Sequence, residues 1–285
     1  MSGTVVAQAI PILLSPVLSR IYSPEEFGVF AMFTAIGAAV AVAATLRFEL
    51  AIMLPQEETS AINLLQLSFS ITLLLSVLLL GFVTAFHHQL PIWLSTPELG
   101  SFLFYLPLLL LFAGGAQALN YWISRQKKFR LLAAGKVGQT GSAGLISVVL
   151  GYLHFSSAGL IIGAVAGQLV ALLIYLAGSV SKIIRLEPWV TRKKMLENLR
   201  TYKTFAVVNT PHALLGVLQD ILVIFLLNHF FSKSVVGSYA FGFRILKVPA
   251  AFIGAAMFQV YFQRASTLKQ QQEKLKALTK MFTCK

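Results

Sequence analysis

The chain has 285 residues, 57% of them hydrophobic and only 12% charged, with a formal net charge of +13 and one cysteine. That balance excludes a soluble globular domain, and the length excludes a single membrane anchor. The lone thiol, Cys284, excludes an internal disulfide framework.

Eight apolar runs, each close to the ~20 residues a helix needs to cross a bilayer, lie at 3–22, 27–46, 62–86, 99–123, 134–155, 158–180, 205–231 and 235–262. They lack the ten-residue alternation of a barrel strand. Lipid admits only helices and closed barrels, so the fold class is all-α, a polytopic transmembrane helical bundle.

The first run has no basic segment before it and is interrupted by Gln8, Pro11 and Pro16, which reads as a mature helix rather than a signal peptide. Its Thr4, Gln8, Pro11, Ser15 and Ser19 share one helical face. Gln8 and Ser15, with Gln66 in the third run and Gln117 in the fourth, are candidates to line a polar path. The same residue types equally serve hydrogen bonds between neighbouring helices. Arg47 and Glu49 follow the second run, two residues apart, so on a continuous helix they do not share a face.

In the outer loop after the third run, His87 and His88 lack the further ligands a metal needs. Gly138, Gly141 and Gly144 in the fifth run, and Gly159, Gly163 and Gly167 in the sixth, predict a close pair of helices.

Asp220, in the middle of the seventh run, is the costliest residue in the chain. It lies roughly 16 Å from the outer end of its span, and Arg244 lies roughly 13 Å from the outer end of the eighth. Two readings stand for Asp220: an ion pair with Arg244, leaving Lys247 to face a cleft as a phosphate contact, or a site for a coupling proton or cation.

The positive charge is on one side. Of the 23 Lys and Arg, all but Arg20, Lys233, Arg244 and Lys247 follow even-numbered runs. This is the positive-inside pattern, which predicts both termini in the cytoplasm and makes a nucleic-acid partner unnecessary. A cationic inner surface suits anionic membrane lipids.

The basic stretch 182–203 divides the chain into a six-helix lobe over 1–181 and the start of a second lobe over 204–262, followed by a basic tail over 263–285. Across that divide the sequence repeats. Tyr22, Ser23, Gly28 and Phe30 align without gaps on Phe231, Ser232, Gly237 and Tyr239. In each copy the serine is placed to cap the next helix and the glycine to permit close packing. Parallel repeats of this kind are common in transporters.

The stretch 15–30, reading SPVLSRIYSPEEFGVF, with 47–55, reading RFELAIMLP, and later Val236-Gly-Ser-Tyr239, Pro249 and Gln259-Val260, resembles the polysaccharide-biosynthesis flippases. These include the O-antigen translocases of the multidrug/oligosaccharidyl-lipid/polysaccharide exporter superfamily. The resemblance covers almost the whole chain.

It implies a transporter of the bacterial inner membrane rather than an enzyme. Such a protein moves polyprenyl-pyrophosphate-linked oligosaccharide by alternating access between two six-helix lobes, without a cofactor, and can work beside a polysaccharide polymerase and chain-length machinery. On this resemblance Arg47 is a candidate to meet the incoming pyrophosphate. Family members have about twelve spans or more, so eight runs read as a truncated form whose activity is in question.

Two other classes compete with this reading. A multidrug extruder of the same superfamily exports small cations and needs acids in its cleft, where Asp220 is the one clear intramembrane acid. A membrane polysaccharide polymerase needs a large outer loop, and the outer loops here are short.

Overall fold

The computed structural model describes residues 2–94, 96–186, 191–243 and 245–246. Among the described residues every regular element is helical. The α-helices are α1 (Ser2–Ile21), α2 (Pro24–Ala43), α3 (Phe48–Ala51), α4 (Glu58–Phe86), α5 (Leu90–Trp93), α6 (Tyr105–Arg125), α7 (Phe129–Tyr152), α8 (Ser157–Leu186), α9 (Arg192–Thr201) and α10 (Thr210–Phe230). Short 3₁₀ turns lead into α6, and a π-helical turn, Phe205–Asn209, leads into α10. A further helix starts at residue 233.

Seven of the eight apolar runs are thus helices, and the eighth begins as one before leaving the described residues. Five segments are long and apolar enough to cross a membrane: Pro24–Ala43, Glu58–Phe86, Pro97–Arg125, Ser157–Arg185 and Phe205–Phe230. The protein is a multi-pass membrane protein. The described apolar part of α1 is shorter, Val6–Ile21, and α7 is diluted by glycines, hydroxyls, Gln139 and Lys136. These two less apolar helices pack on each other, and α7 packs in turn on α8.

The chain forms two compact units, residues 1–240 and 241–285. In the second, residues 241–243 and 245–246 are helical. In the first, α8 packs on α6, α6 on α4, and α2 on α6, α8 and α10. One core, around Phe48, Leu64, Leu119, Trp122 and Tyr175, lies at the basic end. A second, around Met32, Phe33, Leu99, Leu106 and Ile161, lies towards the other.

Glycines set the close contacts. A Cβ on Gly167 would come within 2.7 Å of the Gln139 carbonyl and 2.9 Å of the Ala143 side chain, and one on Gly163 within 2.8 Å of the Ala143 carbonyl. The α7–α8 pair is therefore as close as the spacing predicts. Two of the six glycines depart from that prediction: Gly144 clears Leu14 of α1, and Gly141 faces open space.

In α1 the polar face does local work. Pro16 has no N–H for the Ile12 carbonyl, and the Ser15 hydroxyl donates to that carbonyl at 2.7 Å. The backbone acceptor that proline strands is satisfied by its neighbour, as an apolar surrounding demands.

The turn after α1 is fixed by Ser23, whose Oγ accepts from Glu26 N at 3.3 Å while Ser23 N donates to Glu26 Oε2 at 2.7 Å. Pro24 fills the first helical position, where its missing N–H costs nothing. Tyr22 is 3% exposed and donates its hydroxyl to the Ser147 carbonyl of α7 at 2.6 Å.

The two aligned segments each end one helix and begin the next with matching backbone hydrogen bonds. Tyr22 N donates to Leu18 O at 2.9 Å, and the aligned Phe231 N donates to Leu227 O at 2.9 Å; Phe27 N to Ser23 O and Val236 N to Ser232 O are both 3.2 Å. The copies also touch. The space a Cβ would need at Gly28 is taken by the Lys233 carbonyl, and at Gly237 by the Pro24 carbonyl, with Gly28 N 2.8 Å away. Lys233 is the aligned equivalent of Pro24. Each glycine therefore abuts the residue four before the other, which is the reciprocity of a two-fold contact.

Two outcomes follow. Gly28→Leu or Gly237→Leu should destabilise by about 1–3 kcal/mol through overpacking, read as a lower melting midpoint in detergent. Gly81→Leu should leave it unchanged, since nothing lies within 4 Å of that position.

The second concerns pH. Burial, with the Glu26 carboxylate adding to it, pushes the Tyr22 phenol up from 10.0 to about 12. Its contribution to stability is whole below pH 10 and is lost as pH rises through about 12. Tyr22→Phe should flatten that part of an alkaline unfolding profile.

Candidate functional site

The second apolar run ends in a break. Leu46 and Arg47 take left-handed backbone conformations, with φ of 48° and 62°, at a cost of order 1–2 kcal/mol each for side chains bearing a Cβ. The break leaves the Ala44 carbonyl without a helical donor, and the Thr72 hydroxyl of α4 supplies one at 3.0 Å. Gly114 of α6 makes room: a Cβ there would lie 2.6 Å from Thr72 Cγ2 and 2.9 Å from Ala44 Cβ.

This geometry brings together side chains that a continuous helix would separate. Arg47 Nη1 lies 3.6 Å from Glu49 Oε1, with Glu49 wholly buried and Arg47 24% exposed. Gln117 Nε2 donates to Glu49 Oε1 at 2.7 Å, and the Thr45 hydroxyl donates to Glu49 Oε2. The expectation that Arg47 and Glu49 do not share a face is corrected here; the left-handed pair at 46–47 turns them to the same side.

Arg125, at the end of α6, donates to the Ile52 and Gln56 carbonyls, both at 3.1 Å, and so ties down the chain after α3. The result is a buried carboxylate held by three side chains, beneath one guanidinium that retains access to solvent. A buried anion so satisfied is a rigid anchor. The accessible cation above it is the part able to meet a mobile anion.

The other candidates lie apart from this cluster. Gln8 is half-buried in α1, the Ser15 hydroxyl is held by its own helix, and Gln66 is exposed on the side of α4 away from the core. Asp220 is exposed midway along α10. Arg244 and Lys247 lie outside the described residues, and with them the pairing of Asp220 to Arg244.

No sequence pattern singles out Thr45 or Thr72. Both are buried hydroxyls beside the break, and their signal was the need of a helix end inside a membrane for donors and acceptors. At the opposite end, Asn228 donates to the Leu94 carbonyl and to Thr96 Oγ1, each at 3.2 Å, and Lys233 pairs with Glu98. These contacts tie the end of α10 to the loop before α6.

Gln117→Leu should destabilise by about 1–3 kcal/mol, because it withdraws a donor from a buried carboxylate. In a double-mutant cycle with Glu49→Gln the loss in the double variant should be smaller than the sum of the two single losses, measured by thermal melting in detergent; strict additivity would show that the pair does not interact.

Comparison with known proteins gives one family match: the model described as "Polysaccharide biosynthesis protein" aligns with residues 17–284. No curated protein and no solved structure matches the chain.

Proposed function

From the premise that this chain belongs to the polysaccharide biosynthesis protein family, we propose that it takes part in flipping polyprenyl-pyrophosphate-linked oligosaccharide across the bacterial inner membrane. The carrying observation is the reciprocal contact of Gly28 with Lys233 and Gly237 with Pro24. It relates the start of the second repeat to the first by a two-fold, the symmetry from which two-lobed transporters are built.

Translocation breaks no covalent bond, so the protein needs a polar path and a means of alternating access, not a catalytic group. A pyrophosphate and a sugar cannot enter hydrocarbon unaided. Arg47 supplies a first cation for the pyrophosphate, held in place from below by Glu49, while the polyprenyl chain stays in lipid. By the positive-inside rule the basic end, and Arg47 with it, faces the cytoplasm, where such a substrate is made. The Ser23 end then faces outwards, and the ties of Asn228 and Lys233 to residues 94–98 close that side.

Asp220 supports a second reading, export of small cations coupled through an exposed carboxylate on α10. The two separate in proteoliposomes holding the full chain. Arg47→Gln should lower translocation of lipid-linked oligosaccharide about tenfold, the loss of one charge-assisted contact, with Arg47→Lys retaining part of it. Uptake of a cationic dye that depends on Asp220, with no movement of lipid-linked sugar, would replace this reading with the second.

A further inference from the structure

A groove of about 680 Å³ opens at the basic end, between the start of α4, the end of α6, the turn into α7 and the end of α8. That volume suits a small ligand or a lipid headgroup. Its polar wall carries Glu58, Trp122, Arg125, Gln126, Lys128 and Lys182. Lys182 pairs with Glu58, while Arg125 and Lys128 donate to neutral carbonyls. The wall therefore keeps a surplus of two positive charges.

The wall of the groove also hides unpartnered polar atoms. Trp122 is 1% exposed, and among the described residues its indole N–H meets no protein acceptor and both polar atoms of the Gln126 carboxamide are buried without a protein partner. Three of the five such side-chain atoms there belong to residues of this groove's wall, where they are buried behind its surface. An orphaned buried donor costs free energy that a ligand acceptor would recover.

We propose that this groove is a binding site for an anionic phosphate ester, its oxygens accepting from the Trp122 N–H and the Gln126 amide while Arg125 and Lys128 supply charge. The Gln126 carbonyl is left for a neighbouring hydroxyl. Met53, 47% exposed at the groove, gives an apolar side against which an acyl chain can lie. The site is separate from the Glu49 cluster and stands whether or not the chain moves lipid-linked sugar.

Trp122 is its own reporter. In full-length chain carrying Trp93→Phe and Trp189→Phe, titration with short-chain phosphatidylglycerol in maltoside micelles should shift Trp122 emission saturably, and phosphatidylcholine of the same chain length should not. Gln126→Leu and Lys128→Gln should each weaken the response about tenfold, as expected for a lost hydrogen bond to a charged group. Lys128 is exposed, so that variant tests the site even if Gln126→Leu fails to fold.

Glycerol phosphate or inorganic phosphate competing with the lipid would assign the site to a free phosphate compound; the lipid alone binding would assign it to a membrane headgroup. Equal responses to the two lipids, no response to any probe, or variants that bind like the parent would overturn the proposal.

Discussion

The contact between the two repeats is the constraint on which the arrangement of α10 depends. Most of α10 is uncovered, and α2 is its main α-helical neighbour. What holds the chain beyond it is backbone against backbone, the Gly28 amide beside Gly237, each glycine filled by a carbonyl from the other copy. In a bilayer, apolar side chains gain little by leaving lipid for one another, so close approach of small residues must supply the association. No side chain larger than hydrogen fits at either position.

The opposite end is governed by a different need. Where α2 breaks, its carbonyls and the buried Glu49 must find partners in a medium without water. Thr72, Thr45, Gln117 and Arg47 provide them. The same rule explains Ser15 beside Pro16. It also makes Trp122 and Gln126 stand out, because the buried polar side chains around Glu49 are paired and theirs are not. The two ends thus differ in kind: one is a glycine contact tied by Asn228 and Lys233, the other a polar floor under exposed cations.

Much of this was legible in the sequence. Seven apolar runs gave helices because a run of that length in lipid has no alternative backbone structure. Ser23, ahead of an apolar stretch, was expected to cap the next helix and does so, with Glu26 returning the bond. The glycine spacing predicted the α7–α8 pair, since residues four apart on a helix meet the same neighbour. The repeat was visible as four aligned residues, and the structure added that the two copies face each other.

Other features required the third dimension. Two consecutive left-handed residues without glycine leave no mark in a sequence, so the meeting of Arg47 with Glu49 was hidden. Helical periodicity placed Ser15 on a shared face but did not reveal that Pro16 had created an acceptor for it. Gly144 looked like part of the α7–α8 seam because sequence spacing gives a face, not the helix that covers it. Trp122 and Gln126 became candidates only once their surroundings showed what they lacked.

The most direct test of the central contact is a distance between the two repeats in the membrane. With nitroxide labels at Ser23→Cys and Ser232→Cys in a Cys284→Ala background, electron paramagnetic resonance in liposomes should give a separation below about 25 Å, since each labelled position lies within five residues of the crossing at 1.5 Å per residue. A distribution centred well beyond that distance would show that the two copies do not meet at Gly28 and Gly237, and the two-fold arrangement would fall with it.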